Sequence, residues 1–201
     1  MFEFDTNLLW EAFEDGRAIS TSRGDVKMHC VDAGVVALPT GRLVVCDIRF
    51  DTVTPRQTFR VEPDCYQLFI SMTVTHEVAL TMIQFSQIQP TSWTRANPFT
   101  FTTDSGTSCL LDAKLLAKLR RLSERGHFDK YWDQMETEME ENDGLWSLTK
   151  LNDDPFANAL LIRTMGGDGT FASYLGKSDA GDIVCFTTDY FLSDHATERT
   201  G

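Results

Sequence analysis

The chain has 201 residues and a hydrophobic fraction of 42%, enough to bury a sizeable core and too apolar for a globally disordered chain. Thirty acidic residues against 18 Lys and Arg give a formal charge of −12, which leaves few cations to neutralise phosphates and argues against a nucleic-acid partner. No apolar run approaches the roughly 20 residues that cross a bilayer, so no membrane partner is expected.

Residues 1–25 read as an N-terminal helical segment, because Leu8, Leu9, Ala12 and Phe13 recur at helical spacing. Glu3 and Asp5 stand where a signal peptide carries Lys or Arg, so no export signal is read and a cytoplasmic location is expected. Residues 26–103 form a β-rich part. "VVAL" and "LVVCDIRF" are strand-like and are separated by Pro39-Thr40-Gly41, which is turn chemistry. "YQLFISMTV" and "EVALTMIQF" flank His76 and Glu77 and predict an antiparallel hairpin. "PTSWTRANPF", with two prolines, breaks the pattern before a short strand at "FTFTT".

Residues 104–145 hold a loop and a helix pair, the pair lying near residues 112–142. Leu115, Leu116, Leu119 and Leu122 line one face of the first helix, with Asp112 placed as its N-cap and Gly126 as its stop. Phe128, Tyr131, Trp132, Met135 and Met139 line the second, and both stripes are expected to pack on the domain. Seven acids between Asp129 and Asp143, set against Lys130, leave a local charge of −6. The ordinary reading is a solvated helix face. The functional one is a docking surface for a basic protein, carried by Glu136, Glu138, Glu140 and Glu141.

Residues 146–192 read as a C-terminal β meander of "ANALLIRTM", "FASYL" and "IVCFTTDYF", the last alternating between faces. Asp168, Asp179 and Asp182 are turn residues in this reading. A calcium loop needs oxygen ligands at alternating positions closed by a distant carboxylate; these acids fall in separate turns, so no metal site is assigned. Asp189 is an acid inside a strand and calls for a compensating bond. Residues 193–201 form a polar, frayed tail.

"TTDSGTSCLLD" contains Asp-Ser-Gly-Thr-Ser at 104–108, the local pattern of aspartic proteases, where two such loops share a proton between their carboxylates. One copy occurs here, preceded by threonines, so a protease is not the expected class. Cys109 as a nucleophile would need a general base, and the spacing of His29, His76, His127 and His195 nominates none. Cys30, Cys46, Cys65, Cys109 and Cys185 are odd in number and widely spaced, which fits reduced thiols rather than a disulfide framework.

The expected fold is a single α+β domain over residues 1–201, mostly antiparallel sheet or a two-layer sandwich, with the helix pair inserted. The first functional expectation is a small acidic soluble binding protein, of inhibitor or immunity type, for a basic partner. The alternative is an enzyme or ligand-binding domain, hydrolase-like, in which Asp104, Asp112, Asp168, Asp179, Asp182 and Asp189 converge. Asp104 and Asp189 are expected on neighbouring strands or strand ends of one sheet, opposite Arg42 or Arg163. No cofactor is implied, the oligomeric state is not set by the residues, and enzymatic activity stays open.

Several motifs together resemble the mainly bacterial family called domain of unknown function 4241. They are Pro39-Thr40-Gly41-Arg42 with Cys46-Asp47, Pro63 with Tyr66, Trp93 with Ala96, Ser105-Gly106-Thr107 with Asp112, and a closing segment of Gly167-Asp168-Gly169, Tyr174, Gly176, Asp179, Gly181 and Asp189-Tyr190. The departures are Ile48 for proline, Asp64 for glycine, Ser108 for a small residue and Tyr190 for phenylalanine. The resemblance covers roughly residues 35–191 and implies an intact fold, with no established activity, substrate or catalytic set.

Overall fold

Apolar, β-branched runs become strands over most of the chain in the computed structural model, which describes residues 5–21, 24–49, 58–151, 157–164, 167–190 and 192, with backbone alone at 97–99. The tail expected to fray, 193–201, lies outside the described residues, as do Met165, Gly166 and Phe191. The chain divides into two compact units: residues 1–34, 67–100 and 171–201 form the first, and residues 35–66 and 101–170 the second.

The first sheet has seven strands: β1 (Ala18–Thr21), β2 (Gly24–Leu38), β5 (Asp64–Thr73), β6 (Glu77–Gln84), β7 (Ser92–Thr103), β11 (Gly169–Lys177) and β12 (Ile183–Asp189). Its order is β1-β2-β5-β6-β12-β11-β7. The second sheet comprises β3 (Arg42–Asp47), β4 (Thr58–Arg60), β8 (Thr107–Asp112), β9 (Trp146–Lys150) and β10 (Asn158–Arg163), in the order β4-β3-β8-β10-β9. Every pairing whose register is described is antiparallel. The hairpin expected around His76 is present as β5–β6, and His76 takes φ 61° in its turn.

Four local expectations are corrected. Among the described residues of the segment 1–25, helix is confined to α1 (Leu8–Glu11); Gly16, at φ 80°, turns the chain, and Ile19 and Thr21 then bury alternate side chains along β1. β7 runs through Pro98, which a strand tolerates when it lies at a sheet edge, as β7 does. The C-terminal meander is split, because β10 pairs with β8 and β9 in the second sheet while β11 pairs with β12 in the first. β12 does not alternate: it lies between β6 and β11, and Val184 to Asp189 are all buried, the behaviour of a strand covered on both faces.

Helices α2 (Ala113–Glu124) and α3 (Asp129–Glu140) follow β8. Leu115, Leu116 and Leu119 from α2 and Met135 and Met139 from α3 join Val44, Cys46, Ile48, Leu111, Ala159 and Leu161 in one core cluster, so the two helices cover one face of the second sheet. α2 ends in a Schellman motif: Gly126 takes φ 69°, its N–H donates to the Ser123 carbonyl at 2.9 Å, and the His127 N–H donates to the Leu122 carbonyl at 2.8 Å. In the first unit, Trp10, Phe13, Phe69 and Trp93 pack around Met82, Val184 and Cys185.

Candidate functional site

Asp104 opens the turn between β7 and β8, and its side chain is exposed. The buried acid of this loop is Asp47, the last residue of β3, only 5% exposed. Its carboxylate accepts hydrogen bonds from the backbone N–H groups of Arg49 (2.6 Å), Asp104 (2.7 Å) and Ser105 (2.9 Å) and from the Ser105 hydroxyl (2.8 Å). Asp47 therefore fastens the Asp-Ser-Gly-Thr-Ser loop to the end of β3. In an aspartic protease the loop aspartate is the working group; here the loop's amides are tied down by another residue's carboxylate.

The same loop docks on the closing segment. A Cβ on Gly106 would lie 3.2 Å from the Gly167 Cα, so the absence of a side chain at Gly106 lets the backbones meet. The Thr164 N–H donates to the Gly106 carbonyl at 2.9 Å, and the Thr164 hydroxyl to the Gly167 carbonyl at 2.6 Å. The glycine of the Asp-Ser-Gly-Thr-Ser loop thus serves its packing on the closing segment.

Asp112 is buried and caps α2, accepting the Lys114 N–H at 2.7 Å. It also takes the Thr40 N–H at 2.9 Å and the Thr40 hydroxyl at 2.8 Å, which ties the β2–β3 turn to the helix start. Asp189 is 2% exposed and accepts the Leu192 N–H at 2.7 Å, a buried backbone bond that offsets the propensity cost of an acid in a strand. Asp168, Asp179 and Asp182 are exposed in the connections before β11 and between β11 and β12. The Ser178 N–H donates to the Asp182 carbonyl and the Gly181 N–H to the Ser178 carbonyl, both at 2.9 Å, which is turn geometry.

The six candidate acids divide between the units: Asp104, Asp112 and Asp168 in the second, Asp179, Asp182 and Asp189 in the first. Asp104 follows the end of β7 and Asp189 ends β12; both strands belong to the first sheet, where β11 stands between them. Arg42 and Arg163 are exposed, and among the described residues neither forms an ion pair, so neither is an interior counter-ion. No group of three or more His, Cys, Asp or Glu among the described residues is placed to hold a metal ion.

On α3, Glu136 and Glu140 are exposed, as is Glu141 at the C-cap; Glu138 is half-buried and accepts the Gln134 side-chain N–H at 2.8 Å. The buried edge of the helix is Met135 and Met139. The acids therefore occupy a face that the core leaves open.

Sequence reasoning marks Thr40 only as a turn residue and Asp47 only within a motif, and it misses the pair formed by His29 and Asp15. His29 Nδ1 lies 2.7 Å from the Asp15 carboxylate, and that contact, with the Cys30 N–H, holds the Asp15 carboxyl below its usual range. Both side chains are more than half exposed. They line a cavity of about 300 Å³ with Lys27, Thr73 and His76. The hydroxyl nearest in kind to a nucleophile, Thr73, shares a hydrogen bond with the Thr75 hydroxyl at 2.8 Å rather than with His29.

Cys30, Cys109 and Cys185 are not poised for attack. Burial pushes Cys185 up to about 12 and Cys30 up to about 11, the latter helped by Asp15 and Asp32, and burial beside Cys46 drives Cys109 well above the ordinary thiol range. Cys46 and Cys109 face each other across β3–β8 with their sulfurs 3.3 Å apart. Cys65 is the exposed one. Brief treatment with iodoacetamide at neutral pH is expected to alkylate Cys65 alone, and all five thiols in denaturant; mass mapping that finds Cys109 modified in the native protein would contradict its burial as a neutral thiol.

No helix among the described residues is long and apolar enough to cross a membrane. No curated protein and no solved structure matches the chain. A family model described as Protein of unknown function (DUF4241) matches residues 36–188, the span that holds the Gly41 turn, the Asp47-clamped loop, both long helices and the closing glycines; the chain belongs to that family.

Proposed function

We propose that the protein is a small acidic binding protein, of the inhibitor or immunity type and working in the cytoplasm, whose partner is a basic protein engaged by the helix pair inserted between β8 and β9. One observation carries this reading. α3 buries Met135 and Met139 in the core, while Asp129, Asp133, Glu136, Glu140 and Glu141 are exposed and, among the described residues, have no cation paired with them. Uncompensated like charges on one helix destabilise it slightly, by about 0.2–0.5 kcal/mol for each i,i+4 pair, a cost that a cationic partner would remove. Their field would also speed association with such a partner and make it salt-dependent.

The test is capture of proteins from the source cell's lysate at low and high salt, with wild type and with a variant carrying Glu136→Gln, Glu138→Gln, Glu140→Gln and Glu141→Gln. A basic protein held by wild type at low salt, and lost both at high salt and with the variant, is the expected result. Equal retention at both salts, or by the variant, overturns the electrostatic reading. The variant's melting temperature should be unchanged or slightly higher, because the substitutions relieve repulsion and touch no core residue.

A further inference from the structure

Within the second unit a pocket of about 290 Å³ opens beside the first two turns of α2. Lys114, Lys118 and Arg121 line it at positions i, i+4 and i+7, the spacing that places three side chains on one stripe, and Pro39 and Leu115 add apolar wall. Among the described residues none of the three cations forms an ion pair. The acid among the described lining residues, Asp112, has its carboxylate engaged by the Thr40 N–H and hydroxyl and by the Lys114 N–H. Among the described lining residues, three cations against one carboxylate leave a formal +2, in a chain whose total is −12. Arg121 is held in place: its Nε–H donates to the Ala117 carbonyl at 3.0 Å, which lays the guanidinium back along the helix and leaves both Nη groups outside that bond.

We propose that this pocket binds the dianion of a phosphate monoester carrying a small apolar group. The phosphoryl oxygens would sit among Lys114, Lys118 and Arg121, with the apolar part against Leu115 and Pro39. A carboxylate monoanion answers only half of the +2, whereas a monoester carries about −1.5 to −2 at pH 7. Lysine meets phosphate as a point charge and arginine as a fork, and the N-terminal end of the 12-residue α2 adds a favourable dipole. The volume is near the lower bound of small-molecule pockets, roughly 300 Å³, which suits a compact ligand.

Phenyl phosphate is the probe, titrated calorimetrically at low salt and pH 7.5, with phenol and succinate as controls. Saturable 1:1 binding is expected, weakened at least tenfold by Lys118→Gln combined with Arg121→Gln and retained by Lys118→Arg. Affinity should also fall as pH drops below about 6, where the dianion takes up a proton and becomes a monoanion. Amide shifts on titration of labelled wild type should centre on residues 113–121, a readout that does not depend on any variant folding. Absence of saturable binding, equal affinity in the double variant, or shifts centred elsewhere would overturn the site. Succinate binding as tightly as phenyl phosphate would overturn its phosphoryl specificity. The acids of α3 play no part in these measurements, so failure of the basic-partner reading leaves this one standing.

Discussion

Asp47→Ala is expected to lower the stability of the protein by about 3 kcal/mol, whereas Asp104→Asn changes it by less than about 0.5 kcal/mol. The contrast follows from which acid is buried. Asp47 takes four hydrogen bonds, three of them from backbone amides. Truncation leaves those donors orphaned beside β3, and an unsatisfied buried donor costs about 1–3 kcal/mol before any relaxation of the loop. Asp104 contributes to the clamp only through its backbone N–H, which the asparagine keeps. Denaturant unfolding of the two variants measures this. A loss at Asp104→Asn equal to that at Asp47→Ala would mean that the exposed carboxylate has a role the geometry does not give it.

How far the sequence reveals such positions depends on the range of the interaction. The cap and stop of α2 are readable because they are local: Asp112 bonds an amide two residues on, and Gly126 closes bonds reaching back no more than five residues. The β5–β6 hairpin is readable for the same reason. Asp47 shows only as part of a motif, since its partners at 104 and 105 are 57 and 58 residues away and nothing in "VVCDIRF" signals them. The partition of β10 and β11 into different sheets is equally hidden. Both are apolar strands joined by a glycine-rich connection, and pairing with the nearest strand in sequence is the default that the fold departs from. Pro98 misleads because proline disqualifies a central strand but not an edge, and edge position is a tertiary fact. Of the candidate acids, the sequence marks Asp189 as needing a buried bond, which it has, and Asp179 and Asp182 as residues of a turn, which lies between β11 and β12. Which of the acids share a unit follows from chain topology, and that is beyond its reach.

Gly41→Ala is the second substitution expected to be severe, at about 3 kcal/mol, and it tests why the Pro39-Thr40-Gly41 turn has the composition it does. Gly41 takes φ 62°, a conformation that disfavours any side chain by about 1 kcal/mol or more. The greater cost is steric. A Cβ at this position would stand 2.2 Å from the Val61 carbonyl oxygen and 3.2 Å from the Pro63 nitrogen, both backbone atoms that cannot rotate aside. The approach is fixed by two bonds of the turn itself: the Gly41 N–H donates to the Leu38 carbonyl, and the Gly41 carbonyl accepts the Val61 N–H, each at 2.9 Å. Relief of the clash therefore requires breaking the contact that brings residue 61 against the β2–β3 turn, and overpacking of this kind costs about 1–3 kcal/mol. Gly126→Ala supplies the control. Gly126 shares the positive φ, at 69°, but nothing lies within 4 Å of its missing Cβ, so it should show the conformational cost alone, about 1 kcal/mol. Thermal or denaturant melts of the two variants should thus differ by about 2 kcal/mol, the steric share of the loss. Equal losses would mean that the chain at Val61 yields, and that the turn needs glycine for its dihedral angle rather than for the backbone that crosses it.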